Sequence, residues 1–284
     1  MIQINSIDLF YTINSKNNND SNNKIRESII YKILNKEIPI EWFVNEKWFI
    51  IKQGLFSILN LTDTNNYKIE HKGGRNYNYD FLISYYNDVK IIKEIKIEFK
   101  YNCNRLDKYP QFLSISSNNF IKDEGYVSFF YDNYVNKLAQ LLNIDIPEKN
   151  MYIKYIHNND YDKLPFFRKL KDNESLIKIQ KNKLVNESIS IYLNSIVNLN
   201  IELINKTLQE KEYNKEYLLF ENHTFFKDKI LDNELEITNI YIIKNNNTII
   251  LNTKSNTKIG MLLRWKNHKG ILYPAWQISL INRQ

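Results

Sequence analysis

The stretch YDFLISYYNDVKIIKEIKIEFKYN, residues 79 to 102, admits few folds. Two runs rich in β-branched and aromatic residues flank Asn87-Asp88, a pair suited to a tight turn between antiparallel strands. In the second run Val89, Ile91, Ile95, Ile97 and Phe99 alternate with Lys90, Lys93, Glu94, Lys96, Glu98 and Lys100, after a slip near Ile91-Ile92. Residues two apart on a strand face the same way, so Glu98 and Lys100 project together while Phe99 turns inward. A turn at 87-88 sets residue 80 opposite residue 95 or so. The slip could carry Asp80 towards Glu98, and the sequence leaves that register open.

Elsewhere the pattern is mixed. Residues 15 to 24, SKNNNDSNNK, are polar and of low complexity, and are expected to be unstructured. A helix follows, with Ile25, Ile29, Ile33 and Leu34 on one face and Pro39 as its stop. The run EWFVNEKWFIIKQGLFSILNL belongs to the core as strand or helix. Gly73 and Gly74, two of only six glycines, mark a turn or a close backbone approach. Pro110 suits the first turn of a short helix. YVSFFYDNYVNKLAQLLN reads as an amphipathic helix, and MYIKYIHN as a short buried strand. Residues 174 to 211 are helical by period. The segments 216–230, 235–253 and 258–281 each read as two strands around a polar turn. The expectation is a mixed α/β chain: a central mixed sheet flanked by helices, then a helical segment and a β-rich C-terminal part. The expected division is a core at 1–160 and a second region at 161–284.

Composition narrows the function classes. The chain has 284 residues, enough to bury a sizeable core, and a net charge of +7. That balance favours a polyanionic partner, although an AT-rich coding sequence produces the same abundance of Lys and Asn. One cysteine, Cys103, excludes an internal disulfide and a Cys-based zinc site. The four histidines show no metal spacing. No apolar run of about 18 residues occurs, and residues 1–24 lack the apolar stretch after a basic start that a secretory leader would show, so none is expected. An intracellular, soluble protein, not secreted and without membrane association, is expected.

Two carboxylates held close together repel, and a divalent cation removes that penalty. Oxygen donors without His or Cys favour Mg²⁺, with Mn²⁺ as substitute. Such an ion polarises a phosphodiester and activates water, and an adjacent lysine adds a fixed positive charge. Asp80, Glu98 and Lys100 supply those groups.

The same residues resemble a known family. Asp80, 17 intervening residues, then Glu98-Phe99-Lys100 is similar to the D-x(n)-(D/E)-x-K pattern of the PD-(D/E)xK nuclease superfamily, which includes many restriction endonucleases. Tyr79 stands where that family often has proline. The resemblance implies a core of helix, three strands, helix and strand over residues 24 to 158, with Asp80 and Glu98 on Mg²⁺ and Lys100 positioning the attacking water. It also implies a glutamine after the lysine, here Gln111, and a glutamate in the first helix, here Glu27. Its implied substrate is DNA, cut by a homodimer.

Other residues carry two readings. Glu70 is a further metal ligand or a surface strand acid. Lys72 and Arg75 touch phosphates or keep a loop soluble. His71 is a base or an exposed loop histidine. Arg264 and Lys266, on either side of Trp265, contact a nucleic-acid groove or border a packed tryptophan. Acid–lysine runs also occur in LQEKEY at 208–213 and in NEKWF at 45–49, where they read as chance matches. Three functions follow: a sequence-specific metal-dependent endonuclease, a repair or recombination nuclease acting on ends or junctions, and a non-catalytic basic nucleic-acid-binding protein.

Overall fold

The computed structural model describes residues 2–13, 19–62, 66–73, 77–116, 125–156, 163–195, 199–245, 247–268 and 271–283. In chain order its main elements are helices α1 (Ile7–Tyr11), α2 (Asn19–Leu34) and α3 (Glu46–Ile58), then strands β1 (Tyr67–His71), β2 (Phe81–Asn87), β3 (Lys90–Tyr101) and β4 (Leu113–Ser116). Helices α4 (Tyr126–Gln140), α5 (Lys149–Ile156), α6 (Pro165–Asp172), α7 (Glu174–Ser195) and α8 (Ile201–Glu212) follow. Strands β5 (Lys215–Glu221), β6 (Thr224–Lys229), β7 (Ile237–Asn245), β8 (Thr248–Thr253), β9 (Lys258–His268) and β10 (Ile271–Ile281) close the chain. The fold is mixed α/β. None of the described helices is long and apolar enough to cross a membrane.

The chain forms two compact units, Met1–Tyr109 with Gln209–Asp232, and Pro110–Leu208 with Asn233–Gln284. This differs from a division at 160/161. The reason is a chain return: α8 leads into β5, which pairs parallel to β3 from Lys96↔Lys215 to Tyr101↔Phe220. A parallel neighbour requires a long crossover, and here residues 102 to 214 supply it.

In the first unit the sheet order is β1-β2-β3-β5-β6. Ile69, Phe81, Ile83, Ile95, Ile97, Phe99, Leu218 and Phe220 line one face and pack with Ile29, Ile30, Ile33, Trp48, Ile51 and Leu55 of α2 and α3. The ambiguous run at 41–61 is thus largely helix, capped by the Asn45 side chain, which accepts the Lys47 N–H at 3.0 Å. Helix α2 starts at Asn19, inside the stretch expected to be unstructured. It ends before Pro39, with Lys36 left-handed (φ 57°) and the Glu37 N–H bonded to Lys32 O at 2.9 Å. Between β5 and β6, Asn222 and His223 both have positive φ, as a two-residue hairpin turn demands.

The second unit carries an antiparallel sheet, β4-β10-β9-β8-β7. One face buries Ile259, Met261, Leu263, Trp276 and Ile278. The core of this unit also holds Tyr126, Val127 and Phe130 of α4 and Ile189 and Tyr192 of α7. Two expectations fail here. MYIKYIHN is helical in its described part: Tyr152 and Ile156, four residues apart, are its buried pair, and so short an apolar run fits either period. Pro110 opens no helix within the described residues 110–116. Its carbonyl accepts from Gln277 Nε2 at 2.7 Å, and Phe112 N–H bonds Ile278 O at 3.0 Å, drawing the segment into the sheet as β4.

Candidate active site

The register of β2 on β3 sets the site. Phe81 pairs with Ile97 and Tyr85 with Lys93, but Tyr86 pairs with Ile91, so Ile92 is an extra residue on β3. The turn is Asp88-Val89, not Asn87-Asp88, because Asn87 pairs with Lys90; that turn and the bulge together set Asp80 next to Glu98 instead of residue 95. Asp80 N–H bonds Ile97 O at 2.8 Å, and Asp80 Oδ2 accepts Phe99 N–H at 2.8 Å. The other Asp80 oxygen accepts no hydrogen bond from the described residues.

Glu98 and Lys100 lie on the face of β3 opposite Ile97 and Phe99, and Lys100 Nζ donates to Glu98 Oε1. Both side chains are largely buried, 15% and 14% exposed. Lys100 also sits 5.3 Å from the centre of the Tyr109 ring.

Sequence reasoning missed three residues of this cluster. Lys215, at the start of β5, donates to Glu98 Oε2, to Asn78 O at 3.0 Å and to Glu212 Oε1 at 3.1 Å. Glu212, the last residue of α8, accepts the Tyr217 hydroxyl on its other oxygen. Lys215, Glu212 and Tyr217 are all fully buried. Glu212 lies in the LQEKEY run at 208–213 that was set aside as chance. An acid closing a helix just before an apolar strand, with a lysine at that strand's first position, is the feature that distinguishes it.

Electrostatics follow from burial. Burial first, then repulsion from Glu98, pushes the Asp80 carboxyl up to about 6, against the Phe99 N–H, Lys100 and Lys215. Burial also penalises ionised Glu98, but Lys100 and Lys215 outweigh it and hold that carboxyl below its usual value. Burial lifts Glu212 to about 7, with Lys215 opposing and Glu98 adding repulsion. For Lys100 the cost of burial is exceeded by the pull of Glu98, so its ammonium is held above the usual lysine value.

Glu27 Oε2 lies 3.4 Å from His71 Nε2. His71 is exposed but is no loop residue: it ends β1 on the Phe81 face, its ring stacked 5.4 Å from Phe81 and 5.8 Å from Tyr31. Burial lowers its pKa. Glu70 pairs with Lys72 at 2.8 Å and Lys68 at 3.5 Å, and those lysines hold its carboxyl below the usual value. Lys72 lies 5.3 Å from the Tyr77 ring centre. Arg75 lies outside the described residues. Gln111 belongs to the second unit, where its Oε1 accepts from Lys266 Nζ at 3.0 Å; Lys266 also bonds Ser114 Oγ at 2.6 Å. Arg264 is exposed on β9. Trp265 Nε1 donates to Tyr126 OH at 2.9 Å, so this tryptophan is packed within its unit.

Among the described residues, no three of His, Cys, Asp and Glu converge to hold a metal alone. Asp80 and Glu98 remain a hard, oxygen-only pair with one carboxylate oxygen unbonded. That set suits Mg²⁺, which commonly takes one or two carboxylates and completes its shell with water and phosphate.

No family model and no curated protein matches the chain. Among solved structures it is similar to restriction endonuclease MspI, in a crystal structure with its cognate DNA. The identity is 13% and the TM-score 0.32, over 96% of this chain and 95% of that one. At that score the likeness reaches no individual residue.

Proposed function

We propose that the protein is a metal-dependent deoxyribonuclease of the restriction-endonuclease kind. The observation that carries this reading is Asp80 beside Glu98 across a β-hairpin, with Lys100 on the same face. Asp80 and Glu98 would hold Mg²⁺, which when bound supplies Lewis-acid activation of the phosphodiester. Lys100 orients the attacking water and offsets charge developing on the phosphate. Its Glu98 partner keeps it protonated. Gln111, Glu27 and Glu70 are less suited to this role, since they engage Lys266, His71 and the lysines at 68 and 72 respectively. Lys72, Arg75, Arg264 and Lys266 are proposed DNA contacts, and a homodimer would let one kind of site cut both strands.

A second reading is favoured by one observation: Lys100 and Lys215 already neutralise Glu98. On that reading the chain binds nucleic acid without cutting it. Supercoiled plasmid incubated with Mg²⁺, Mn²⁺ or Ca²⁺ separates the two. Discrete cleavage with Mg²⁺ or Mn²⁺, lost in Asp80→Ala, supports the nuclease. DNA binding with no cleavage under any divalent ion leaves the binding protein. A linearised plasmid degraded only from its ends, with the supercoiled form left intact, indicates a repair-type enzyme.

A further inference from the structure

Lys215 lies outside the D-x-E-x-K pattern and reaches Glu98 from 117 residues away in sequence. Its pairing with Lys96 puts it on the face that Glu98 and Lys100 share. An ammonium has three N–H donors, and all three here have acceptors within the protein: Glu98 Oε2, Asn78 O and Glu212 Oε1. The side chain is 1% exposed. Lys215 therefore has no donor left for a phosphate or a water. Lys100, with one carboxylate partner and 14% exposure, retains that capacity.

The three acceptors around Lys215 are all oxygens, two from carboxylates and one from a backbone carbonyl. Without the ammonium they would form a donor set for a hard cation. Asn78 precedes Asp80 by two residues, so the same group ties the Asp80 segment to Glu98. It also anchors to Glu212, itself fixed by Tyr217.

We propose that Lys215 is a positioning residue acting as a built-in second cation, so that Asp80 and Glu98 take up a single divalent ion. The inference rests on the reading that those two acids hold a divalent ion. Hydrolytic sites with two ions about 3.5–4 Å apart use the second to stabilise charge. Here a fixed ammonium occupies the second oxygen cluster and needs no recruitment from solution.

Mn²⁺ titration of the intact protein, followed by calorimetry and low-temperature electron paramagnetic resonance, tests this. Wild type should bind one Mn²⁺ with no spin-coupled pair. Lys215→Ala vacates the oxygen cluster and should admit a second, spin-coupled Mn²⁺. Lys215→Met fills the space with an apolar group. It should keep one Mn²⁺ while kcat falls about 10²-fold with KM for DNA unchanged, the mark of misplaced groups and not of lost binding. Circular dichroism establishes folding; should Lys215→Ala not fold, the wild-type stoichiometry and Lys215→Met decide. Two Mn²⁺ ions in wild type would overturn the inference and leave the Asp80–Glu98 reading standing. No Mn²⁺ at all would overturn both. Unchanged kcat in a folded Lys215→Met protein would remove the positioning role.

Discussion

Asp80 Oδ2 accepts the backbone N–H of Phe99 at 2.8 Å, so the carboxylate is fixed by the strand that carries Glu98 and Lys100. The bond is one that an amide oxygen can also accept, which separates its geometry from its charge. In Asp80→Asn the hydrogen bond survives and the charge does not.

That substitution gives a signed pH prediction. Burial and Glu98 push the Asp80 carboxyl from 3.8 to about 6. A raised folded-state pKa means the neutral form is favoured: its stabilising contribution is full below about 4 and is lost as pH rises through about 6. Metal-free Asp80→Asn should therefore be more stable than wild type above pH about 6, with a limiting difference on the order of 3 kcal/mol, and the gap should close below pH about 4. Urea denaturation across this range measures it. Saturating Mg²⁺ should narrow the gap by stabilising the ionised wild-type site. A gap independent of pH would rule out the buried, charged Asp80.

Lys100 is the cation of the cluster with donors to spare. Lys100→Ala should lower single-turnover cleavage by about 10²–10³-fold, the usual effect of removing one preorganised charge partner. DNA affinity at fixed salt, read by fluorescence anisotropy, should stay near wild type, because the side chain is mostly buried and pairs with Glu98. Equal losses of binding and cleavage would make Lys100 a DNA contact instead.

Arg26 holds the N-terminal helix in place. It is fully buried, donates to Phe10 O at 3.1 Å and Leu9 O at 3.2 Å, also bonds Thr12 O, and lies 3.4 Å from the centre of the Tyr101 ring. Arg26→Met leaves those carbonyls without their donor and should cost about 2–4 kcal/mol by urea denaturation.

The sequence made some of this legible and hid the rest for physical reasons. The hairpin at 79–102 and the three C-terminal pairs were readable because strand alternation and turn residues are local signals. The slip at Ile91-Ile92 was visible, but only pairing reveals that Ile92 is the bulged residue and that Asp80 meets Glu98. A strand after the amphipathic helix was expected at 151–158; the strand that pairs with β3 is instead at 215–221. Nothing in either segment announces which one pairs parallel to β3, because that contact spans more than 100 residues. Lys215 and Glu212 were hidden for the same reason: buried ion partners are chosen by tertiary proximity, and a Lys- and Glu-rich chain offers many equivalent pairs.

Arg264 and Lys266 face the same way on β9, yet they make different predictions. Lys266 is engaged by Gln111 and Ser114. Arg264 is exposed, with no hydrogen bond or ion pair to the described residues, so its guanidinium is available for a phosphate. Each phosphate neutralised adds about 0.9 to the slope of log affinity against log salt. Arg264→Ala should therefore weaken DNA binding on all sequences alike and flatten that slope by about 0.9. Lys266→Ala should change the slope less, since its ammonium would have to leave two partners to reach DNA. Anisotropy titrations from low to physiological salt distinguish the two. Should Arg264→Ala leave both affinity and slope unchanged, this face of the second sheet does not meet the DNA backbone, and the basic residues of the chain must engage it elsewhere.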